Sequence, residues 1–216
     1  MPRVLCFGDS NTWGFVPGKG LRYPWEVRWT GVMAKELGDD WQVVEEGLSG
    51  RTTVYPDPWD EDMKSDKVLP ILLKTHKPLD VLIIHLGTND LKFTDAFGAA
   101  NGVGQLVNIA LSIDKRYPSP EPVFRGGKPR VLVVSPIHVG KEIADTGLPG
   151  RLNHAHEPSL HFAEQMQAVC QLRGVDFLDA AAYAQPSLVD CVHMEPESHA
   201  ALGKAIACKV KAMTEA

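Results

Sequence analysis

The sequence predicts an α/β fold, a single-domain three-layer α/β/α sandwich around a mostly parallel, flavodoxin-like sheet. Short apolar runs alternate with longer segments in which apolar residues recur at helical spacing, a pattern typical of parallel sheets covered on both faces. Polar turns containing glycine follow three of the predicted strands, and ligands bind at such strand ends in these folds. With 216 residues, the chain is most simply one domain spanning residues 1–216.

The first half of the chain carries three predicted strands and two predicted helices. Residues 4–7 are a short apolar run and begin the sheet. Residues 25–37 have apolar side chains at helical spacing and end at Gly38, and residues 41–44 follow as the second strand. Residues 81–86 form the clearest central strand, because they are apolar apart from one histidine. An apolar stripe over residues 103–111 predicts the second helix.

The second half repeats this alternation. Residues 131–134 predict a buried strand, residues 160–170 a helix that stops at Gly174, and residues 175–178 the last strand. The final helix is predicted from Pro196 to about residue 213, with the proline in its first turn. Four polar, Pro- or Gly-containing segments are predicted as loops around the site or as contacts with other subunits: 55–67, 90–102, 117–128 and 138–157.

Composition excludes several classes of function. The formal net charge is −5 and there is no run of Lys or Arg, which argues against nucleic acid as a partner. We expect no membrane partner either, because no apolar stretch in the sequence approaches the length of a membrane span. The start of the chain leads straight into the first strand, so we expect no signal peptide. The four cysteines are not closely spaced in pairs along the sequence, so without a signal peptide we expect them to be reduced thiols. The expected location is therefore cytoplasmic.

Ser10 is the most informative residue, because it follows the first strand in the turn Gly8-Asp9-Ser10. A serine hydroxyl becomes a nucleophile when an oriented imidazole takes its proton. The segment Asp190-Cys191-Val192-His193 supplies an imidazole and, three residues earlier, a carboxylate that can hold it. Taken alone, Asp9 or Ser10 could equally cap a helix.

Two other strand-end turns carry groups that could stabilise an oxyanion. Asn89, in Gly87-Thr88-Asn89-Asp90, has a side-chain N–H for this role, and a glycine in the turn Gly47-Leu48-Ser49-Gly50-Arg51 allows a carbonyl oxygen to approach a backbone N–H. Each of these turns could also be purely structural.

Other candidate residues have simpler interpretations. His154 and His156 lack Cys or acidic partners at metal-ligand spacing, so no metal and no cofactor is predicted. His85 lies in a buried strand and reads as a core histidine, and Cys191 as a packed or partly exposed thiol.

Together, the four motifs resemble the SGNH (GDSL-type) hydrolase family, whose blocks carry Ser, Gly, Asn and His in this order. The segments 3–10, 27–32 and 45–53 are further similar to its bacterial arylesterase/acyltransferase branch. The resemblance implies Ser10 as nucleophile, His193 as general base and then acid, and Asp190 as the residue that orients the imidazole. It also implies an oxyanion hole made by the N–H groups of Ser10 and Gly50 and the side chain of Asn89.

The resemblance implies a small-molecule ester as substrate, water or an alcohol as acyl acceptor, and a homo-oligomer, an octamer in the best-known member. The chain departs from the family motif at Asn11, where leucine is usual, and at Gly50, where one relative has alanine. Asn11 is expected at the mouth of the cleft and affects substrate preference. Trp13 and Trp59 either wall the pocket or pack in the core.

The predicted function is therefore hydrolysis of short-chain aryl or alkyl esters through an acyl-enzyme, together with acyl transfer to alcohols. A histidine base predicts turnover that rises between about pH 6 and 7. Two alternatives stay open at this point. One is a carbohydrate O-acetyl esterase or thioesterase with the same triad, and the other is a flavodoxin-like binding domain without catalysis.

Overall fold

A five-stranded parallel sheet forms the centre of the fold. The computed structural model describes residues 1–146 and 150–215. Its strands are β1 (Arg3–Gly8), β2 (Gln42–Gly47), β3 (Val81–His85), β4 (Val131–Ser135) and β5 (Asp176–Asp179). Their order is β2-β1-β3-β4-β5 and every pairing is parallel. This is the flavodoxin-like order that the sequence predicts.

Helices cover both faces of the sheet. They are α1 (Ser10–Trp13), α2 (Trp29–Leu37), α3 (Val68–Thr75), α4 (Ala96–Arg116), α5 (His156–Ser159), α6 (Phe162–Arg173) and α7 (Pro196–Glu215). On one face α2 packs against α7, and on the other α4 packs against α6 and α3. Alternate residues of each strand enter opposite layers, so Cys6 joins the core under α2 and α7 whereas Phe7 joins the core under α4 and α6.

All five predicted strands are present, but helices α2 and α4 begin at other residues than predicted. Helix α2 begins at Trp29 and not at residue 25, because Arg28 still has extended backbone angles. Helix α4 begins at Ala96, inside the segment 90–102 predicted as a loop. The Asp95 side chain accepts a hydrogen bond from the Gly98 N–H at 2.8 Å and so caps the helix. Glycines in its first turns conceal the helical pattern in the sequence.

Helix α3 was not predicted at all. It is only eight residues long, and Pro70 lies within it. Proline is tolerated in the first turn, where the backbone N–H has no helical partner. Its buried residues Leu69 and Leu73 are four positions apart and face the core. The pattern is too short to identify from the sequence.

Helix α4 also corrects the expectation about membrane spans. Within the part of the chain that the structure describes, it is long and apolar enough to cross a membrane by length and composition. However, 61% of its most apolar window is buried inside the domain, where it packs against α6 and the sheet. Core helices pass the same test, so this finding is weak evidence for a membrane partner.

The topology sets where the chemistry can take place. Strand β1 lies between β2 and β3, and the chain order reverses at β1. The turns after β1, β2 and β3 therefore meet at one edge of the sheet, at the switch point where such folds open a crevice.

Candidate active site

Ser10 is the first residue of α1 and is separated from Gly8, the last residue of β1, only by Asp9. A Cβ on Gly8 would lie 2.8 Å from the carbonyl oxygen of His85, so glycine is needed for this close approach. The Asp9 side chain caps α1 by accepting a hydrogen bond from the Asn11 N–H at 3.0 Å. Asp9 therefore takes the capping role, and Ser10 is left at the edge of the cleft with 6% of its surface exposed.

A continuous hydrogen-bonded chain joins Ser10, His193 and Asp190. His193 Nε2 lies 2.9 Å from Ser10 Oγ, and His193 Nδ1 lies 2.7 Å from Asp190 Oδ2. An ionised carboxylate can only accept hydrogen bonds, so Nδ1 carries the proton and Nε2 is left to accept from the serine hydroxyl. This is the arrangement in which an imidazole can take the hydroxyl proton.

Backbone N–H groups of the same loop fix the position of the Asp190 carboxylate. Its Oδ1 accepts hydrogen bonds from the N–H groups of Val192 at 3.1 Å and His193 at 2.9 Å. Burial by itself raises the pKa of Asp190, but the hydrogen bonds and the charge of His193 outweigh it and lower the pKa below its ordinary value. Asp190 is therefore ionised at neutral pH.

An aromatic ring also packs against the face of the His193 imidazole and restricts its orientation. The Phe15 ring stacks on His193 with 4.1 Å between ring centroids and 24° between the planes. The sequence did not single out Phe15, because no motif distinguishes it from a core aromatic residue.

The predicted oxyanion-hole groups line the same cleft as Ser10 and His193, which has a volume of about 360 Å³. Within residues 1–146 and 150–215, the backbone N–H groups of Ser10 and Gly50 donate to no other group. Gly50 has φ = +88°, a conformation that favours glycine. One N–H of the Asn89 side chain donates to the Arg51 carbonyl at 3.2 Å, which fixes the amide and leaves its second N–H available.

Two buried side chains hold the loop that carries Gly50. Asp90 accepts a hydrogen bond from the Thr53 N–H at 3.0 Å and another from the Thr53 hydroxyl. The Arg51 guanidinium donates to the Gly8 carbonyl at 3.0 Å and to the Glu46 carbonyl. The turns after β1, β2 and β3 are thus tied to one another. Burial raises the pKa of Asp90 to about 7, although the hydrogen bonds from Thr53 oppose this shift.

The structure corrects the prediction for Asn11 and shows that Trp13 does not line the pocket. Asn11 is buried below the cleft and does not line it. Its Nδ2 donates to the Val192 carbonyl at 3.1 Å, and its Oδ1 accepts from the Met194 N–H at 3.1 Å. Trp13 lies behind Phe15, with 6.2 Å between their ring centroids, so Phe15 and not Trp13 forms the wall.

Two cationic residues also line the cleft and were not predicted. Lys92 ends the short 3-10 helix Asn89–Lys92, three residues after Asn89, and that spacing could have identified it. Arg151 comes from the distant segment Gly150–Leu152, and nothing in the sequence associates it with the site. Trp59 is 70% exposed and does not line the cleft, but the Arg151 guanidinium stacks 3.4 Å from its ring centroid.

The remaining candidates occupy structural positions. His85 is buried in β3, and burial lowers its pKa to about 4. His154 Nε2 lies 2.8 Å from the Leu91 carbonyl, and His156 Nδ1 lies 2.8 Å from the Val139 carbonyl. Among the described residues, no group of three or more His, Cys, Asp or Glu is placed to hold a metal ion. Cys191 is buried with φ = 59°, and burial raises the pKa of its thiol.

Comparison with known proteins places this arrangement in a family. A model of the GDSL-like lipase/acylhydrolase family matches residues 6–201, which include all of the strands except the start of β1. The chain belongs to that family. A search of curated proteins gave no significant match.

Solved structures of family members are similar to it along the whole chain. A carbohydrate acetylesterase from Sinorhizobium meliloti is 38% identical, with a TM-score of 0.89 over 99% of this chain and 100% of the other. An aryl esterase from M. smegmatis, in its inhibitor-bound form, is 35% identical with the same TM-score and coverage. Another carbohydrate acetylesterase family member from Sinorhizobium meliloti is 34% identical over both full chains, with a TM-score of 0.90. The family and these likenesses identify the chain as a carboxylic ester hydrolase of the SGNH fold.

Proposed function

We propose that this GDSL-family esterase hydrolyses short-chain acyl esters with Ser10 as nucleophile, His193 as general base and Asp190 as its orienting carboxylate. The observation that carries the proposal is the hydrogen-bonded chain from Asp190 through His193 to Ser10, which ends at a cleft. A purely structural network would not be expected to end beside three N–H donors that have no partner among the described residues, namely the backbone N–H groups of Ser10 and Gly50 and the second N–H of the Asn89 side chain.

In the first step, Ser10 Oγ attacks the ester carbonyl carbon while His193 Nε2 takes the hydroxyl proton. The negative charge that develops on the carbonyl oxygen is stabilised by the N–H groups of Ser10 and Gly50 and by Asn89. Such donors are worth about 3 to 4 kcal/mol each in the transition state. His193 then gives its proton to the departing alcohol, and the acyl group remains on Ser10.

In the second step, water attacks the acyl-enzyme while His193 again acts as base, which releases the carboxylic acid and restores Ser10. An alcohol that enters in place of water would give acyl transfer, which we include in the proposal. The Phe15, Leu152 and Val192 side chains provide an apolar wall that favours a short acyl chain or an alcohol over bulk water.

A second candidate substrate is an O-acetylated carbohydrate. It is favoured by the likeness to a carbohydrate acetylesterase, which extends over the whole chain. The same triad would also cleave thioesters, because an oxyanion hole stabilises their tetrahedral intermediate in the same way. The kcat/KM values for an aryl acetate, an acetylated sugar and an acyl thioester, measured in parallel, would rank these substrates.

The nucleophile is tested by labelling the intact protein with a fluorophosphonate and locating the modified residue by mass spectrometry. We expect the label on Ser10. The matched variant Ser10→Ala should fold normally, take up no label and lose ester turnover. Labelling at another serine, or full turnover by Ser10→Ala, would refute the proposed mechanism and show that a different residue is the nucleophile.

A further inference from the structure

The charge of the cleft differs from that of the chain as a whole. The chain has a formal net charge of −5. Yet the side chains that line the cleft include two cations, Lys92 and Arg151, and no carboxylate among the described residues. A cleft for neutral short-chain esters alone would not need buried or half-buried cations, since removing a charge from water costs free energy.

One carboxylate, that of Asp57, lies close to both cations but does not line the cleft. Asp57 Oδ2 lies 3.8 Å from Lys92 Nζ, and Asp57 Oδ1 lies 3.4 Å from a terminal nitrogen of Arg151. Asp57 is itself buried, and its Oδ1 also accepts a hydrogen bond from the Trp59 N–H at 3.0 Å. Among the described residues, Asp57 is therefore the one carboxylate within ion-pair distance of both cations, and both contacts are longer than a good charge-assisted hydrogen bond. Asp9 and Asp90 act on Lys92 only from farther away.

Both cations are held in place while part of each is left to face the cleft. Arg151 is stacked on the Trp59 ring, which restricts the guanidinium plane. The Lys92 side chain is only 14% exposed. Burial lowers the pKa of Lys92, while the nearby Asp57 opposes this shift. A cation that is removed from water and has only a distant counter-ion is stabilised strongly when an anionic ligand binds beside it.

We propose that Lys92 and Arg151 form a subsite for a carboxylate on the substrate, so that the preferred ester carries an anionic group in its acyl or its alcohol part. The inference rests on the proposed function, because it places the anion beside the bond that Ser10 attacks. A planar guanidinium next to an ammonium suits a carboxylate, which can accept from both at once.

The two possible locations of the carboxylate are tested with two pairs of probes. For the acyl side, 4-nitrophenyl hemisuccinate is compared with neutral 4-nitrophenyl butyrate. For the alcohol side, 3-acetoxybenzoate is compared with neutral 3-acetoxybenzamide. In one pair we expect kcat/KM to be at least about tenfold higher for the anion at low salt, consistent with a charge-assisted contact. This preference should decrease with increasing salt.

Variants assign the preference to the two side chains. In Lys92→Met and in Arg151→Met, the ratio of kcat/KM for anion over neutral probe should fall about tenfold, and Lys92→Arg should restore most of it. The matched control Lys128→Met removes an exposed lysine elsewhere and should leave the ratio unchanged. If Lys92→Met does not fold, the wild-type ratio and its salt dependence still decide the question.

The outcomes separate this inference from the proposed mechanism. Ratios at or below one in both pairs for the wild type, or ratios that the two Met variants leave unchanged, would overturn the subsite. In either case, loss of all turnover in Ser10→Ala would still uphold the triad. Turnover of the neutral probes by Ser10→Ala would instead overturn the mechanism, whatever the wild-type ratios are.

Discussion

At the scale of single residues, Asp190 is the group that decides which nitrogen of His193 carries the proton. We expect Asp190→Asn to lower kcat by about 10³- to 10⁴-fold, since an amide N–H facing Nδ1 favours the tautomer whose Nε2 cannot accept from Ser10. The asparagine oxygen can still accept from Val192 and His193, so the free energy of unfolding should change little. Steady-state kinetics with an aryl acetate and urea denaturation measure the two effects. A kcat within tenfold of the wild type would show that Asp190 does not orient the base.

Asn11 joins the helix that carries Ser10 to the loop that carries His193, and we expect it to act as a positioning residue. Its amide bonds the residues on either side of His193, namely Val192 and Met194. Asn11→Ala leaves a buried carbonyl and a buried N–H without partners, which costs about 1 to 3 kcal/mol each. We expect lower stability and a lower kcat, with KM changed less because Asn11 does not line the cleft.

Urea denaturation and the pH profile of kcat test this role. The control Asn101→Ala removes an exposed asparagine of α4 and should leave both unchanged. If Asn11→Ala loses stability but keeps the kcat and the pH profile of the wild type, its role is structural only.

Ser10, Gly50 and Asn89 could be predicted to lie together because they follow three strands of one parallel sheet. Asp190 and His193 lie in the segment before α7 and were identified by the spacing between carboxylate and imidazole. Asn11 was misplaced because sequence order says that it follows the nucleophile but not that α1 turns it inward. Phe15 and Arg151 depend on side-chain packing between distant segments, which no local pattern encodes.

At the scale of elements, the position of the loop that carries Gly50 depends on how closely α4 approaches it. A Cβ on Gly102 would lie 1.9 Å from Thr53 Oγ1, and Thr53 binds Asp90. Gly102→Ala should therefore push away the loop that carries Gly50 and lower kcat, by about tenfold or more, because small displacements of catalytic donors have large effects on rate.

Gly104→Ala provides the matched control on the same helix. There a Cβ meets only the end of the Arg173 side chain, with 2.7 Å to its nearest nitrogen, and a flexible side chain can move aside. Gly104→Ala should keep the wild-type kcat. Equal kcat values for Gly102→Ala and Gly104→Ala would show that the α4 contact does not position the oxyanion hole.

Elements with strong apolar patterns were predicted, and those without were missed. Strand β3 is buried over all five residues and was located to within one residue of its end. Helix α3 and the first turns of α4 were missed because Pro70 and several glycines weaken the helical signal, although burial against the sheet stabilises both segments. Tertiary packing thus stabilises helices whose local helix propensity is too low to predict them.

At the scale of the whole molecule, buried titratable groups on and around the sheet act in opposite directions on stability. Burial lowers the pKa of His85 to about 4 and that of His199 to about 3, so these side chains stay neutral in the fold at pH values where they are protonated in the unfolded chain. Burial raises the pKa of Asp9 to about 6 and that of Asp90 to about 7, so these carboxyls hold protons in the fold that the unfolded chain releases.

The sign of each contribution follows from linkage. Below the ordinary histidine pKa of about 6.5, unfolding takes up protons at His85 and His199, so these two groups reduce stability as the pH falls. Above the ordinary aspartate pKa of 3.8, unfolding releases protons from Asp9 and Asp90, so these two reduce stability as the pH rises towards their folded values. Between about pH 4 and 6 the two pairs largely cancel, so the summed contribution of these four groups to the free energy of unfolding changes little with pH in that window.

Replacing one histidine or one aspartate should reveal the pH dependence of stability that the other pair contributes. His199 Nδ1 accepts a hydrogen bond from the Trp29 N–H at 3.2 Å, and an asparagine oxygen can replace it. Relative to the wild type, His199→Asn should gain about 1.4 kcal/mol of unfolding free energy for each unit that the pH falls between 6 and 4. Asp90→Asn should show the opposite slope, gaining stability relative to the wild type as the pH rises from 4 to 6. Urea denaturation at several pH values measures both slopes, and parallel curves for wild type and variants would show that neither side chain is linked to folding.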